Sequence, residues 1–104
     1  MKDIRLDLAI IIINYNSAKY TKQCIQSVLD NTTSTISYEI IIVDNASNSK
    51  DYEALKNHIS GLKKTNISLY RSRINTGFGG GNMYGIQFAN ANYYLFLNNT
   101  YFSK

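Results

Sequence analysis

Polar residues that could contact a ligand follow four short apolar segments of this 104-residue sequence. They are Asn14-Tyr15-Asn16, Asp44-Asn45, the segment Asn75–Asn82, and Asn98-Asn99-Thr100. Asp44 is the only acid among them, and its carboxylate could accept hydrogen bonds from a base N–H or a ribose hydroxyl. The spacing fits equally well with an Asx-turn or a helix cap that closes the preceding strand.

The segment from Gly77 to Gly85 holds five of the six glycines in the chain. It opens a predicted helix, so its backbone N–H groups could face an anion. The pattern is neither G-x-G-x-x-G, because Asn82 stands at the last glycine position, nor a P-loop, because no Gly-Lys-Ser/Thr is present. The alternative is that these glycines let the helix pack closely against a sheet.

Composition excludes several other kinds of site. One cysteine and one histidine cannot build a disulfide framework or a His/Cys metal centre. The net charge of +4 is scattered, without the basic stripe that nucleic-acid binding would need. The longest purely apolar run, Leu8–Ile13, is too short to span a bilayer.

The apolar pattern predicts strands that alternate with amphipathic helices. An unbroken apolar run such as Leu8–Ile13 is typical of a strand covered on both faces. The third predicted helix carries Tyr84, Phe88 and Ala91. The four predicted strands are centred on Leu8–Ile13, Ile40–Val43, Ile67–Leu69 and Tyr93–Leu97.

The order β-α-β-α-β-α-β with short connections predicts one α/β domain over residues 1–104. It would be a Rossmann-like, mostly parallel sheet with helices on both faces. Ligands of such sheets bind outside the carboxyl ends of the strands. The four polar groups should therefore lie together at one edge.

Four motifs in register resemble family 2 glycosyltransferases, and in particular a bacterial rhamnosyltransferase-like branch. They are IIIINYNSAKYTKQCIQSVL, YEIIIVDNASNSKD, INTGFGGGNMYGIQFAN and YYLFLNNT. The resemblance implies a GT-A (nucleotide-diphospho-sugar transferase) fold whose first half binds UDP-, dTDP- or GDP-sugar. A complete relative would transfer the sugar to a hydroxyl acceptor with inversion.

The resemblance also implies which residues bind the donor. The turn Asn14–Asn16 would frame the base and ribose, and Asp44 would accept a hydrogen bond from the base. Arg71 and Arg73 could reach phosphate. The full set of implied nucleotide-sugar-binding residues is Asn14, Tyr15, Asn16, Asp44, Asn45, Asn75, Gly77, Phe78, Asn82, Asn98 and Asn99.

Family members bind Mg²⁺ or Mn²⁺ through an Asp that follows a pair like Asn98-Asn99. Here Thr100 stands near that position. Divalent ions of this kind prefer carboxylate oxygens. We therefore name no metal ligand in this chain and expect it to bind the metal weakly.

The catalytic base of inverting relatives lies in a second half that this sequence does not contain, so no catalytic residue is named. We expect a truncated donor-binding half that is inactive alone. The alternative is a non-catalytic remnant that binds nucleotide poorly and self-associates. An exposed Tyr93–Leu97 edge would favour a homo-oligomer. A cytoplasmic location is expected, because nucleotide sugars are made there and no signal segment is present.

Overall fold

Strands and helices alternate along the chain as the sequence predicts. The structure is a computed structural model that describes residues 5–97, with only the backbone of Phe78. No helix within residues 5–97 is long and apolar enough to cross a membrane. The elements are β1 (Leu6–Asn14), α1 (Ala18–Asn31), β2 (Tyr38–Asn45), α2 (Ser49–Leu62), β3 (Ile67–Ser72), α3 (Gly77–Ile86) and β4 (Ala91–Leu97).

The four strands form one parallel sheet in the order β3-β2-β1-β4. In this register Asn14, the last residue of β1, pairs with Asp44 near the end of β2. Asp44 in turn pairs with Arg71 of β3. The carboxyl ends of the three strands therefore lie side by side, which confirms the α/β fold and, for these three strand ends, the common edge that the sequence predicts.

One face of the sheet is covered by α1 and α2. Ile10 and Ile12 of β1 are buried on this face against Ile25 of α1 and Leu55 of α2. Cys24 of α1 is also fully buried there. Burial of each large aliphatic side chain contributes about 1.5–3 kcal/mol, so this layer holds the two helices firmly on the sheet.

The other face is covered by α3. Side chains alternate along a strand, so the odd-numbered residues Ile11 and Ile13 of β1 point to this side, together with Ile41 and Val43 of β2. Tyr84 of α3 packs against them. Helices on both faces explain why β1 and β2 carry continuous apolar runs rather than alternating ones.

The third helix is shorter than the sequence pattern predicts. It ends at Ile86, so Phe88 and Ala91, both expected on the helix, lie beyond it. Ala91 is instead the first residue of β4 and pairs with Leu6. The next turn tightens, because the N–H groups of Phe88 and Ala89 donate to carbonyls three residues back, those of Gly85 and Ile86. Ala91 is 6% exposed, so it is buried as part of the sheet.

Within residues 5–97, β4 is an edge strand that pairs only with β1. Large side chains on both of its faces are exposed: Tyr93 at 73%, Tyr94 at 41%, Leu95 at 43% and Phe96 at 40%. The strand has no charged residue and no proline, the features that commonly protect sheet edges from pairing with other chains.

Candidate functional site

Asn14 is the centre of the polar network at the carboxyl edge of the sheet. Its side chain is fully buried at the end of β1. Nδ2 donates to Asp44 Oδ1 at 2.9 Å, to Asp51 Oδ2 at 3.0 Å and to Ser47 Oγ at 3.2 Å. The amide N–H groups of Asn14, a predicted ligand-binding residue, are thus used in hydrogen bonds within the protein.

The side-chain oxygen of Asn14, Oδ1, is also hydrogen-bonded. It accepts hydrogen bonds from Thr21 Oγ1 at 2.6 Å and from Ser17 Oγ at 3.3 Å. Both hydroxyls belong to the turn and first helix that follow β1. A single amide therefore ties the end of β1 to α1, to the end of β2 and to α2, and it positions the loops that carry the exposed site residues.

Asp44 is buried at the end of β2, with 0% of its surface exposed. Its Oδ1 accepts from Asn14, and its Oδ2 accepts from the Ser47 N–H at 3.1 Å. Arg71 Nε lies 3.4 Å from the same Oδ2. The hydrogen bond from Ser47 closes a turn at the end of the strand, which is one of the two interpretations that the sequence leaves open for Asp44. Arg71 and Asn14 hold the carboxylate in place.

Arg71 is fixed on three sides and still reaches solvent. Besides the ion pair with Asp44, its Nη2 donates to the Ser47 carbonyl at 2.7 Å. The guanidinium lies 4.2 Å from the centre of the Tyr52 ring, in a cation–π contact. With 38% of the side chain exposed, Arg71 presents a preoriented cation at the end of β3.

The turn after β1 is fastened to the turn after β2. Asn16 adopts a left-handed backbone with φ of 49°, a conformation that asparagine tolerates. Its N–H donates to Ser47 Oγ at 2.8 Å, and its Oδ1 accepts from the Asn48 N–H at 2.8 Å. Tyr15, between Asn14 and Asn16, is 50% exposed and is the one large ring that this turn presents to solvent.

Asn45 organises the glycine-rich turn after β3. Its side chain is 1% exposed. Nδ2 donates to Asn75 Oδ1 and to the Gly77 carbonyl, both at 3.0 Å, and Oδ1 accepts from the Thr76 N–H at 3.2 Å. Gly77 needs to be glycine because its φ is 78°, and its N–H donates to Asn75 Oδ1 at 2.8 Å.

Two glycines of α3 allow the helix to approach the sheet. A Cβ on Gly81 would meet Ile13 Cδ1 at 2.8 Å, and one on Gly85 would meet Ile11 Cγ2 at 2.9 Å. The close-packing reading of the glycine segment therefore holds for these two positions. Asn82 beside them is 8% exposed, and its Oδ1 is buried without a partner among the described residues.

An open cleft of about 510 Å³ lies at the ends of β2 and β3. It is lined by Ala46, Ser47, Arg71, Ser72 and Arg73. Pockets for small molecules commonly have volumes of 300–1,000 Å³, so the cleft could accept part of a nucleotide. The lining includes two arginines and no Asp or Glu, so the cleft suits an anionic group.

The polar residues that the structure describes at this edge do not fit a divalent metal. Over residues 5–97 no three His, Cys, Asp or Glu residues cluster together. Asp44 and Asp51 are the carboxylates at this edge, and Asp51 already accepts from Asn14 and from the Ala18 N–H at 3.0 Å. Asn98, Asn99 and Thr100, predicted at the end of the fourth strand, lie outside the described residues.

The structure adds two residues that sequence reasoning missed. Ser47 links the turns after β1 and β2, and its carbonyl accepts a hydrogen bond from Arg71 of β3. Asp51 caps α1 from the first turn of α2, in place of Ser17, which makes no side-chain cap bond. The spacing Asn48-x-x-Asp51 resembles a helix-capping pattern and was the available signal. That signal marks the start of α2, but it does not reveal that the Asp51 carboxylate turns towards α1 and Asn14.

The sequence profile of glycosyl transferase family 2 matches residues 9–99, nearly the whole chain. The chain therefore belongs to glycosyl transferase family 2. No curated protein sequence matches it significantly.

Solved glycosyltransferase structures share the fold. TarS of S. aureus (residues 1–349) superposes with a TM-score of 0.73 at 21% identity, over 90% of this chain and 27% of that one. The mannosyltransferase PcManGT from Pyrobaculum calidifontis, in complex with GDP-Man and Mn²⁺, gives 0.71 at 16% identity, over 84% and 25%. The chain thus spans about a quarter of the length of these proteins and has their GT-A fold.

Proposed function

We propose that this chain binds the nucleotide part of a nucleotide-diphosphate sugar at the carboxyl edge of its sheet. The observation that carries the proposal is that hydrogen bonds of Asn14, Asn45 and Ser47 hold three strand-end turns together, beside an open cleft lined by Arg71 and Arg73. A preorganised polar edge of this kind avoids the entropy cost of ordering loops when a ligand binds. The GDP-Man complex of the neighbour PcManGT is consistent with this class of ligand.

Different residues would have different roles in this proposal. Tyr15 would stack on the base, because its exposed ring sits on a rigid turn. Asp44 and Asn45 would support the pocket from beneath, and Asp44 could meet a base N–H only if Arg71 turned aside. Asn75 and Gly77 would shape the side of the pocket formed by the glycine-rich turn.

The complete reaction is also a proposal. Transfer of the sugar to a hydroxyl with inversion needs a general base within hydrogen-bond reach of that hydroxyl. The described residues offer no free carboxylate at the site, because Asp44 and Asp51 are both engaged. We propose that this chain supplies donor binding for an enzyme of the rhamnosyltransferase-like branch, acting in the cytoplasm where nucleotide sugars are made.

Isothermal calorimetry with UDP, dTDP and GDP, each with and without Mn²⁺, tests the proposal. We expect micromolar binding of one nucleotide and much weaker binding of the other two. Tyr15→Ala should weaken that binding about tenfold or more, since base–aromatic stacking is worth about 1–3 kcal/mol. Tyr93→Ala is the matched control, because Tyr93 lies on β4 and is 73% exposed.

Absence of heat for all three nucleotides under both conditions would contradict nucleotide binding. Equal loss of affinity in the Tyr15 and Tyr93 variants would contradict the proposed place of the base. The first of these results would favour the second candidate, a non-catalytic chain that self-associates.

One observation favours self-association in addition to nucleotide binding. We propose that two copies pair through β4, because the strand is uncharged and exposes large side chains on both faces. An antiparallel pairing centred on Tyr94 would place Tyr94 opposite its copy and Tyr93 opposite Leu95. Aromatic and aliphatic cross-strand pairs of this kind stabilise sheets, and no like charges would face each other.

A further inference from the structure

A second concave surface lies on the side of the sheet that α1 and α2 cover. It is an open groove of about 650 Å³ between the first turns of the two helices, and we call it the lysine groove. It shares no lining residue with the cleft that contains Arg71 and Arg73. The described lining residues are Ala18, Lys19, Lys22 and Gln23 from α1, and Asn48, Lys50, Asp51 and Ala54 from α2 and its N-cap.

The fold brings these residues together because α1 and α2 start at the same edge of the sheet. Each helix follows a strand of the parallel sheet, so each begins where that strand ends. The Ala18 N–H donates to Asp51 Oδ1 at 3.0 Å, which holds the first turn of α1 against the first turn of α2. Lys19 and Lys22 are three positions apart and therefore lie on one face of α1, while Lys50 stands in the first turn of α2.

Positive charge in the lysine groove is not balanced by the protein. Within residues 5–97 none of its three lysines forms an ion pair. Asp51 is the one acid among the described lining residues, and its two oxygens already accept from Asn14 and from the Ala18 N–H. Three ammonium groups around one concavity repel one another, so an anion with several charges would stabilise them.

The helix ends themselves do not supply this charge. The Ala18 N–H of α1 is capped by Asp51, and the Asp51 N–H of α2 donates to Asn48 Oδ1 at 2.9 Å. The lysine side chains are thus the groups that an anion in the groove would meet.

The lining chemistry favours a small hydrophilic anion. No large apolar or aromatic side chain is among the described lining residues, whereas protein partners and membrane surfaces are commonly anchored by such side chains. Lysine binds phosphate as a point charge and needs no planar, bidentate geometry. The groove volume also lies within the range of about 300–1,000 Å³ that is usual for small-molecule sites.

We propose that the lysine groove binds a soluble molecule that carries two or three linked phosphate groups. Lys19 and Lys22 hold the phosphates from α1, and Lys50 holds them from α2. The amide groups of Gln23 and Asn48 line the same groove and can donate hydrogen bonds to phosphate oxygens. This binding is separate from the proposed nucleotide site, so it does not depend on whether the chain binds a nucleotide.

The test is calorimetry with inorganic tripolyphosphate and with inorganic phosphate, at low ionic strength and in EDTA. We expect tripolyphosphate to bind at least about tenfold more tightly than phosphate, because several ammonium groups act on it at once. The double variant Lys22→Gln with Lys50→Gln should lose about tenfold or more in affinity for tripolyphosphate, and Lys→Arg at both positions should keep most of that affinity. The matched control is Lys56→Gln with Lys64→Gln, which removes the same charge from two exposed residues that do not line the groove.

Each other outcome would overturn the proposal. No binding of tripolyphosphate at millimolar concentration would reject it. Equal losses in the groove variant and the control would show that net charge alone attracts the anion. Loss of binding in Arg73→Gln but not in the groove variant would place the anion in the other cleft. Binding of the wild type to phosphatidylglycerol vesicles but not to tripolyphosphate would assign the lysines to a lipid surface instead. Thermal melts of every variant show that it is folded.

Discussion

Asn14 and Asp44 are joined side chain to side chain at 2.9 Å, although thirty positions separate them in the sequence. They are register partners on the neighbouring strands β1 and β2, and both are completely buried. A charged carboxylate in such a position is stabilised only if it is paired and hydrogen-bonded, and Asn14, Ser47 and Arg71 meet that need. The most polar part of the interior thus lies directly beneath the candidate site.

Replacement of Asn14 by alanine should destabilise the fold strongly. The change removes the buried hydrogen bonds that Asp44, Asp51 and the Thr21 hydroxyl each make to Asn14, at a cost of roughly 2–4 kcal/mol in the free energy of unfolding. Urea denaturation followed by circular dichroism measures this loss. Asn31→Ala is the control, since Asn31 is exposed and bonds only within α1, and it should change stability by less than about 0.5 kcal/mol. Similar losses in both variants would contradict the central role of Asn14.

Ala46 has a left-handed backbone, with φ of 65°, in the turn that lines the cleft. This conformation costs an L-residue about 1–2 kcal/mol, and glycine avoids that cost but loses more entropy on folding. Ala46→Gly should therefore raise the unfolding free energy by up to about 1 kcal/mol. Ala54→Gly, in the exposed middle of α2, should lower it by a similar amount. Destabilisation by the Ala46 change in thermal melts would show that the turn is not strained.

Glycines of α3 should differ sharply in their tolerance of alanine. At Gly85 the added Cβ would lie 2.9 Å from Ile11 Cγ2 and 3.1 Å from Val43 Cγ2, which should cost about 1–3 kcal/mol. At Gly79 nothing lies within 4 Å, so alanine should stabilise the helix by about 0.5–1 kcal/mol. Chemical denaturation of the two variants gives the comparison. A neutral Gly85→Ala would mean that α3 packs less closely than described.

Burial raises the pKa of the Cys24 thiol from 9.0 to about 11. The unfolded chain therefore loses its thiol proton at lower pH than the folded chain. The contribution of this thiol to the unfolding free energy is fully present below pH about 9 and is lost as the pH rises through about 11. We expect the unfolding free energy of the wild type to fall more steeply across this window than that of Cys24→Ala. The unfolding free energies come from denaturation curves at pH 8 to 11, and an equal fall with pH in both proteins would contradict this expectation.

Self-association through β4 should respond to a single charge. Leu95→Lys would place two like charges near each other in the proposed dimer and should convert it to a monomer in sedimentation equilibrium. Met83→Lys is the control, since Met83 is 65% exposed on α3 and away from the β4 edge. A wild-type chain that stays monomeric at high concentration would contradict the proposed pairing.

The strand-end polar groups illustrate what sequence patterns reveal about a site. Apolar runs such as Ile10–Ile13 and Ile40–Val43 predict buried parallel strands, because only two-sided burial makes an unbroken run favourable. The residues that follow must then share one edge, and the structure places Asn14, Asp44 and Asn45 there. Sequence proximity, however, does not reveal which of them face solvent, and all three are buried.

The amino-acid sequence by itself determined the α/β class, the alternation of elements and the shared edge of the polar strand ends. These depend on local period and on burial pattern, which can be read along the chain. Only the tertiary structure decided that Asn14 and Asp44 form an internal network, that Arg71 is braced by Tyr52, and that Gly81 and Gly85 serve close packing. Each of these depends on contacts between residues distant in sequence, and such contacts are fixed by strand register and helix docking, which no local pattern specifies.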